Sequence, residues 1–279
     1  MWSRAFYLQL PQADVGLAPE TVAVLLVDTQ GMFDHETSNM LTANIFGLST
    51  LFSSTQVYNV RRQIGEDNLQ HLALFSEYGR MAFAAQQEQA AVTDGSAGDA
   101  PRAAVPFQHV QFLLRDSVPG NCSWFDDALD TEKLAEDNTA LIQQVLAKTH
   151  IEDLASTREQ IMSVFERISA FQLPSPGERV TDDPAFAGQL SAVRPRFLEV
   201  LEMYTHELFH KHLTPKRVAG RTVTASELKK LMTGYCAAFT SGGGFPAATS
   251  LLTATAAANN ANAVEECLLD YQDRIDAAM

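Results

Sequence analysis

Two acid-containing segments of the sequence could carry chemistry, because each stands at the end of an apolar run. Asp28 and Gly31 form the pattern Asp-x-x-Gly directly after six apolar residues at positions 22–27. Arg115 and Asp116 follow a second, mostly apolar run. A glycine at position 31 lets the backbone approach a phosphate that a side chain would obstruct. The first pattern is also compatible with an acid in a solvated turn, and the second with a surface ion pair.

A third candidate is His206-Glu207-Leu208-Phe209-His210, which matches His-Glu-x-x-His. On a helix this spacing can bind zinc, with Glu207 as a general base. The surrounding helix favours another interpretation, because its apolar stripe leaves both histidines on the polar side. The stripe consists of Phe197, Leu201, Tyr204, Leu208 and Leu213, and the polar side also holds Glu199, Glu202 and Met203. No third ligand is marked, although Glu227 or Glu265 could serve, so a solvated helix face is favoured over a zinc site.

Strands that end at one edge of a sheet would position the two acidic segments. The unbroken run at 22–27 predicts a strand buried on both faces, as in a parallel α/β sheet. Further strands are predicted at 2–10, 54–60, 107–116 and 168–173. Ligands of parallel α/β sheets bind beyond the carboxyl ends of the strands, which is where Asp28 and Asp116 would lie.

Amphipathic helices are predicted between and after these strands. Asp67 can cap a helix whose apolar residues repeat at three-to-four spacing, namely Leu69, Leu72, Phe75, Tyr78, Met81 and Ala82. Other helices are predicted within 32–50 and at 131–165, 195–213, 224–239 and 247–278. Glycine and proline predict loops at 90–106 and 241–246.

Composition excludes several classes of function. Asp and Glu outnumber Lys and Arg by 34 to 20, a net charge of −14, which disfavours nucleic acid and anionic membrane surfaces as partners. A hydrophobic fraction of 46% is that of a globular protein. Cys122, Cys236 and Cys267 form no disulfide framework, so we expect a reducing compartment. With no membrane-spanning run and no signal peptide, this chain alone is expected to be soluble and cytosolic.

Several segments resemble one known family in the order in which they occur. They are LSTLFSSTQVYNV from residue 48, EDNLQHLALFSEYGR from 66, FLLRD from 112, LPSPG from 173 and LTATAAANNANAV from 252. The sequence resembles the atlastin group of dynamin-like GTPases, which are relatives of the guanylate-binding proteins. The resemblance extends from about residue 2 to near the C-terminus and implies a P-loop-NTPase-like GTPase domain with a mostly parallel central sheet.

The resemblance also implies a ligand and roles for the acidic segments. It implies that the domain binds GTP or GDP together with Mg²⁺. Asp28 would hold the magnesium ion through water and, with Gly31, sense the terminal phosphate. Asp116 would accept hydrogen bonds from the guanine base, and Arg115 would cover the base.

One motif of such GTPases does not occur in the sequence. No glycine begins the pattern Gly-x-x-x-x-Gly-Lys-Ser/Thr, which cradles nucleotide phosphates. We therefore expect a partial GTPase domain at 1–241 that lacks the first strand, phosphate loop and first helix of the family. Residues 242–279 would form a linker and the start of a helical middle domain. Such a chain, from a truncated product or partial gene model, should hydrolyse GTP poorly by itself, because positioning and electrostatics supply most of the acceleration in phosphoryl transfer.

For the full-length parent, the resemblance implies a role in fusing and shaping endoplasmic-reticulum membranes. The parent would lie on the cytosolic face of that membrane and pair as a homodimer through its GTPase domains. Two alternatives stay open: a non-catalytic pseudo-GTPase that acts through protein interactions, and a zinc hydrolase that uses residues 206–210.

Overall fold

The computed structural model describes residues 4–10, 21–29, 39–74, 105–117, 129–218, 221–241 and 248–278. The strands are β1 (Phe6–Gln9), β2 (Thr21–Val24), β3 (Thr55–Arg61), β4 (Phe107–Arg115), β5 (Phe165–Gln172), β6 (Arg217–Val218) and β7 (Arg221–Thr222). The helices are α1 (Asn39–Phe52), α2 (66–74), α3 (Thr131–Val145), α4 (Glu152–Val164), α5 (Glu178–Thr181), α6 (Pro195–His206), α7 (Ala225–Ser241) and α8 (Ala248–Ala278). A 3-10 turn forms Leu190–Ala192, and α6 continues as a π-helical segment, Glu207–Lys211.

A three-stranded parallel sheet in the order β3-β4-β5 forms the centre of the domain. The central strand β4 is the most deeply buried, with Val110 and Phe112 fully inaccessible and Leu114 only 2% exposed. A nearly continuous apolar strand of this kind suits a parallel sheet that helices cover on both faces. The predicted α/β class and the strands at 54–60, 107–116 and 168–173 are confirmed, although β5 begins earlier, at Phe165.

The strands β1 and β2 form a separate antiparallel pair, with Phe6 opposite Val24 and Gln9 opposite Thr21. The predicted strand at the N-terminus is confirmed. The prediction that residues 22–27 are buried on both faces is wrong: β2 ends at Val24, and Leu25, Leu26 and Val27 are 42%, 40% and 57% exposed. An apolar run becomes buried only where neighbouring strands and helices cover it, and β2 pairs with β1 rather than with the parallel sheet.

Two apolar clusters cover the faces of the parallel sheet. The first joins the sheet to α2, α3 and α4, with Leu72, Val110 and Ile161 at its centre. The second joins β5 to α3 and α6, where the rings of Phe171 and Tyr204 lie 4.9 Å apart. Asp130 begins α3 by accepting hydrogen bonds from the backbone N–H groups of residues 132 and 133, both at 3.0 Å.

A third cluster packs the long helix α8 against α7 and α1. Its buried residues are Leu231, Tyr235, Phe239 and Ala258. The Tyr235 hydroxyl and the Thr255 hydroxyl are hydrogen-bonded at 2.7 Å. The helices predicted at 224–239 and 247–278 are confirmed by α7 and α8.

The remaining helix predictions agree with the structure in most places. Leu69 and Leu72 of α2 are buried as predicted, whereas the positions predicted at 75–82 lie outside the described residues, as do most of the loops predicted at 90–106 and 241–246. The helix predicted within 32–50 is confirmed by α1, and the region 131–165 forms two helices, α3 and α4.

One placement on α6 is wrong. Met203 packs against the second cluster instead of facing solvent, because the buried residues Val200 and Tyr204 centre the apolar face beside it.

Candidate functional site

The carboxyl ends of β3 and β4 meet at the predicted Arg-Asp segment. Parallel pairing sets Arg61 opposite Arg115, and the backbone N–H of Arg62 donates to the carbonyl of Arg115 at 2.7 Å. The N–H of Gln63 then donates to the carbonyl of Arg61 at 2.8 Å, which closes a tight turn around Arg62. The ends of both strands are therefore held together by the backbone immediately before Asp116.

Two residues at this junction adopt an uncommon backbone conformation. Arg62 has a φ of 68° and Asp116 a φ of 52°, and among the described residues these are the non-glycine residues with positive φ. Residues in the left-handed region are uncommon and concentrate at functional sites, where the surrounding structure holds them in place. The backbone conformation at the end of β4 therefore agrees with a functional role for the Arg-Asp segment.

Side chains from β3 hold both predicted site residues of β4. Nε of Arg61 donates to Oδ2 of Asp116 at 2.9 Å, and Nε of Arg115 donates to Oδ1 of Asn59 at 2.5 Å. Asp116 is 19% exposed and Arg61 is 62% exposed. Sequence reasoning missed Asn59 and Arg61. Their position at the end of a predicted strand was the available signal, since neighbouring parallel strands end at the same edge of a sheet.

A cleft of about 870 Å³ lies beside this junction. Residues 22–29 form one wall of the cleft, and β3 together with Arg115 forms another. Residues between 208 and 216 also line the cleft. Asp28 and Arg115 therefore line one cleft, and Arg61, which also lines it, connects the cleft to Asp116. Gly31, the remaining predicted site residue, lies outside the described residues.

The family model described as "Guanylate-binding protein, N-terminal domain" matches residues 10–217 of the chain. The chain belongs to this family.

The chain is similar to several proteins named atlastins. The chain is 35% identical to "Atlastin" of Drosophila melanogaster over 266 residues, which cover 95% of the chain and 44% of the relative. It is 34% identical to "Atlastin-1" of Bos taurus over 278 residues, which cover 99% of the chain and 44% of the relative. It is 35% identical to "Atlastin-2" of Xenopus laevis over 267 residues, which cover 95% of the chain and 42% of the relative. The chain thus spans less than half the length of these relatives.

Asp28 provides an exposed carboxylate at the cleft, a type of ligand that a magnesium ion can use. Asp28 is exposed at the wall of the cleft, and Thr29 and Asp67 line the same cleft. Magnesium in nucleotide sites is commonly bound by one or two carboxylates together with water and substrate phosphates. Within the described residues, no group of three or more His, Cys, Asp or Glu side chains forms a complete protein cage for a metal. The open carboxylate therefore suits an ion that arrives with a nucleotide.

The two histidines of the His-Glu-x-x-His pattern lie on the surface of this guanylate-binding-type domain. His206 and His210 are both exposed, as predicted, and their rings lie 4.9 Å apart. Glu207, the supposed general base, instead contacts Nε2 of His212 at 3.3 Å. These contacts describe a solvated helix end rather than a cleft built around a zinc ion.

The two carboxylates considered as a third zinc ligand are engaged elsewhere. Glu227 accepts a hydrogen bond from the backbone N–H of Thr224 at 2.7 Å and contacts Arg221 at 3.0 Å, whereas Glu265 pairs with Lys230. Thr224 and Glu227 form a capping box at the start of α7, and the backbone N–H of Thr224 lowers the pKa of Glu227. Glu227 therefore stabilises a helix end.

Lys216, a half-buried lysine, lies at the far end of the same cleft. Nζ of Lys216 donates to the carbonyl of Ser53 at 2.9 Å, and burial lowers the pKa of Lys216 to about 8. Ser53 precedes the start of β3, so Lys216 lies at the opposite end of that strand from Arg61. Lys216 therefore cannot replace the lysine of a phosphate loop, because ligands of parallel sheets bind at the carboxyl ends of the strands.

Two of the three cysteines lie in the described residues. Cys236 and Cys267 are free thiols on exposed positions of α7 and α8. No helix in the described ranges is long and apolar enough to cross a membrane.

Proposed function

We propose that this domain binds guanine nucleotides in the cleft beside β3. The base would lie at Arg115 and Asp116, and the phosphates with their magnesium ion would lie toward Asp28 and Gly31. The observation that carries the proposal is that residues from two separate segments, Asp28 and Arg115, line one cleft in a domain of the guanylate-binding protein family.

Two side chains at the junction beside the cleft have groups suited to recognising guanine. Guanine offers N–H donors at N1 and N2, and an ionised carboxylate accepts on both oxygens. Asp116 is partly buried and stands at the junction of two strand ends, where its backbone is fixed. The planar guanidinium of Arg115 is suited to covering an aromatic base.

A binding titration tests this assignment. Fluorescent analogues of GDP and ADP are titrated into the chain with and without Mg²⁺, and Asp116→Asn is compared with the matched control Asp182→Asn, which changes an exposed aspartate. We expect saturable binding that prefers guanine in the unmodified chain and in Asp182→Asn. Asp116→Asn should bind GDP about 10- to 100-fold more weakly, since hydrogen bonds to a charged group contribute about 1.5–3 kcal/mol. An unchanged preference for GDP in Asp116→Asn would refute the role of Asp116.

We also propose that this chain hydrolyses GTP slowly by itself. The sequence contains no Gly-x-x-x-x-Gly-Lys-Ser/Thr segment, and positioning of the phosphates supplies most of the acceleration in phosphoryl transfer. Phosphate release at saturating GTP measures this directly. Release that is rapid in the unmodified chain and lost in Asp28→Asn would contradict the proposal.

For the whole protein we propose a role in fusing and shaping endoplasmic-reticulum membranes, with pairing of two copies through this domain. The support is the similarity to proteins named atlastins over 95% or more of the chain. Light scattering with GDP and with a non-hydrolysable GTP analogue tests the pairing, and depletion of the full-length protein followed by imaging of the network tests the cellular role. A protein that stays monomeric in every nucleotide state and leaves the network unchanged would argue against both.

The non-catalytic alternative makes a different prediction in the same titration. A pseudo-GTPase that acts through protein interactions should show no saturable, magnesium-dependent binding of GTP or GDP, even as the full-length protein. The titration therefore separates the two classes.

A further inference from the structure

We propose that Arg61 is a specificity-determining residue of this site, which orients the carboxylate of Asp116 for guanine. This inference rests on the proposed function and adds a residue to it. Arg61 would not contact the base itself. It would act by fixing the acceptor that reads the base.

The contact between the two side chains leaves the carboxylate able to accept from a base. Nε of Arg61 lies 2.9 Å from Oδ2 of Asp116 and uses one acceptor position of that oxygen. A carboxylate offers about four acceptor positions over its two oxygens, so Oδ1 and the second position on Oδ2 stay available. Two donors on one edge of guanine need two acceptor positions in one plane. By holding Oδ2, Arg61 selects the rotation of the carboxylate that presents them.

The backbone around Arg61 supports a positioning role. Arg61 ends β3, its carbonyl accepts from Gln63 at 2.8 Å, and the next residue is bonded to the carbonyl of Arg115 at 2.7 Å. Its partner Asp116 lies just beyond the end of β4 with a φ of 52°. The two side chains are therefore carried by backbone that is fixed on both strands. Because no loop has to become ordered, one hydrogen bond between the two side chains can orient the carboxylate of Asp116.

A simpler role for Arg61 is electrostatic. Its guanidinium is 62% exposed and lines the cleft, so its charge would attract any nucleotide through the phosphates. Such an effect would not depend on the base. The positioning role predicts a change in the preference for guanine over adenine, whereas the electrostatic role predicts an equal change for both.

Arg62 provides a matched control for the charge. It follows Arg61 in the same tight turn and carries the same charge. Its φ of 68° is tolerated by asparagine, so Arg62→Asn removes one charge from the turn while preserving the backbone. Arg61→Met removes the charge and the Nε donor together while keeping a side chain of similar length.

The experiment titrates fluorescent GDP, IDP and ADP into the 279-residue chain and its variants Arg61→Met, Arg62→Asn and Asp116→Asn. Arg61→Met should weaken GDP binding about two- to fivefold, the range expected for an exposed ion pair, and leave ADP binding unchanged. The preference of Arg61→Met for GDP over IDP should also fall, because IDP lacks the exocyclic amine donor. Arg62→Asn should keep both preferences, and thermal unfolding of Arg61→Met should match that of the unmodified chain.

The outcomes separate this inference from the proposed function. Equal weakening of GDP, IDP and ADP binding in Arg61→Met would overturn the positioning role. A preference for guanine that Asp116→Asn abolishes and Arg61→Met leaves intact would also overturn it, and in that case the proposed function would stand. An unmodified chain without any preference for guanine would overturn both.

Discussion

Nε of Arg115 lies 2.5 Å from Oδ1 of Asn59 on the neighbouring strand. Arg115 stands opposite Arg61 in the register, so its side chain reaches back along β3 to a residue two positions earlier. The contact holds the guanidinium against the wall of the cleft that Asn59 also lines. The arginine expected to cover the base is thereby oriented by a residue on another strand.

Asn59→Ala should weaken the binding of guanine and adenine nucleotides by a similar factor, about two- to threefold. The factor should be similar for both nucleotides because a guanidinium plane can cover any base. It should be small because only one hydrogen bond to an exposed charged group is lost. Titration of fluorescent GDP and ADP measures both affinities, with Asn260→Ala on the exposed part of α8 as the control. A loss restricted to GDP would show that Asn59 acts on Asp116 instead.

The stability of the domain should fall in mild acid because of the buried residue His109. Burial, with the nearby charges of Arg167 and His212, lowers the pKa of His109 to about 4 in the folded protein, against an ordinary value of 6.5. The ring nitrogen Nε2 lies 2.8 Å from the hydroxyl of Ser169, and Nδ1 lies 3.5 Å from that of Thr55. The folded protein therefore holds this imidazole neutral.

Since the unfolded chain takes up a proton below pH 6.5 and the folded protein does so only near pH 4, the free energy of unfolding should decrease as the pH falls between these values. The pKa difference corresponds to roughly 3 kcal/mol for His109. Burial also lowers the pKa of His212, which acts in the same sense. Urea unfolding from pH 7.5 to 4.5 should show a smaller decrease for His109→Gln than for the unmodified chain. The exposed control His150→Gln should retain the full decrease, and equal slopes in all three proteins would contradict the assignment.

Arg158 should be among the most sensitive positions for stability. Its guanidinium donates to the carbonyls of Val145 at 2.9 Å and Leu154 at 3.0 Å, and it pairs with Glu66 of α2. Arg158→Met keeps most of the buried volume but leaves the carbonyls and the carboxylate without this donor, so we expect a loss of about 2–3 kcal/mol. Urea unfolding measures it, and Arg179→Met on an exposed residue of α5 should change stability by less than about 0.5 kcal/mol. Equal effects of the two substitutions would refute the importance of this network.

Gly234 should set the distance between α7 and α8. A Cβ atom at this position would lie 3.2 Å from Cβ of Ala254, closer than most such contacts. Gly234→Val should therefore push the two helices apart and cost about 1–3 kcal/mol. Thermal unfolding and amide exchange along α8 report the change, with Ala237→Val on the exposed face of α7 as a control for the β-branched side chain. Normal protection of α8 in Gly234→Val would show that the helices tolerate a larger residue here.

The sequence alone determined most elements and the location of the Arg-Asp segment. Apolar runs and three-to-four spacing are local patterns, so they predicted β4, β5, α7 and α8 close to their observed bounds. The Arg-Asp segment could be located in the same way, because it follows an apolar run directly. The roles assigned to its residues came from the family resemblance and stay predictions.

Tertiary structure decided what surrounds those residues. Nothing local to residues 22–27 shows that Leu25, Leu26 and Val27 stay partly exposed, because burial depends on which strands and helices lie beside a strand. In the same way, the pairing of Arg61 with Asp116 joins residues 55 positions apart and follows from the register of two parallel strands. A single sequence specifies that register only through the packing of the whole sheet. Contacts between strands are therefore the part of the site that only the tertiary structure revealed.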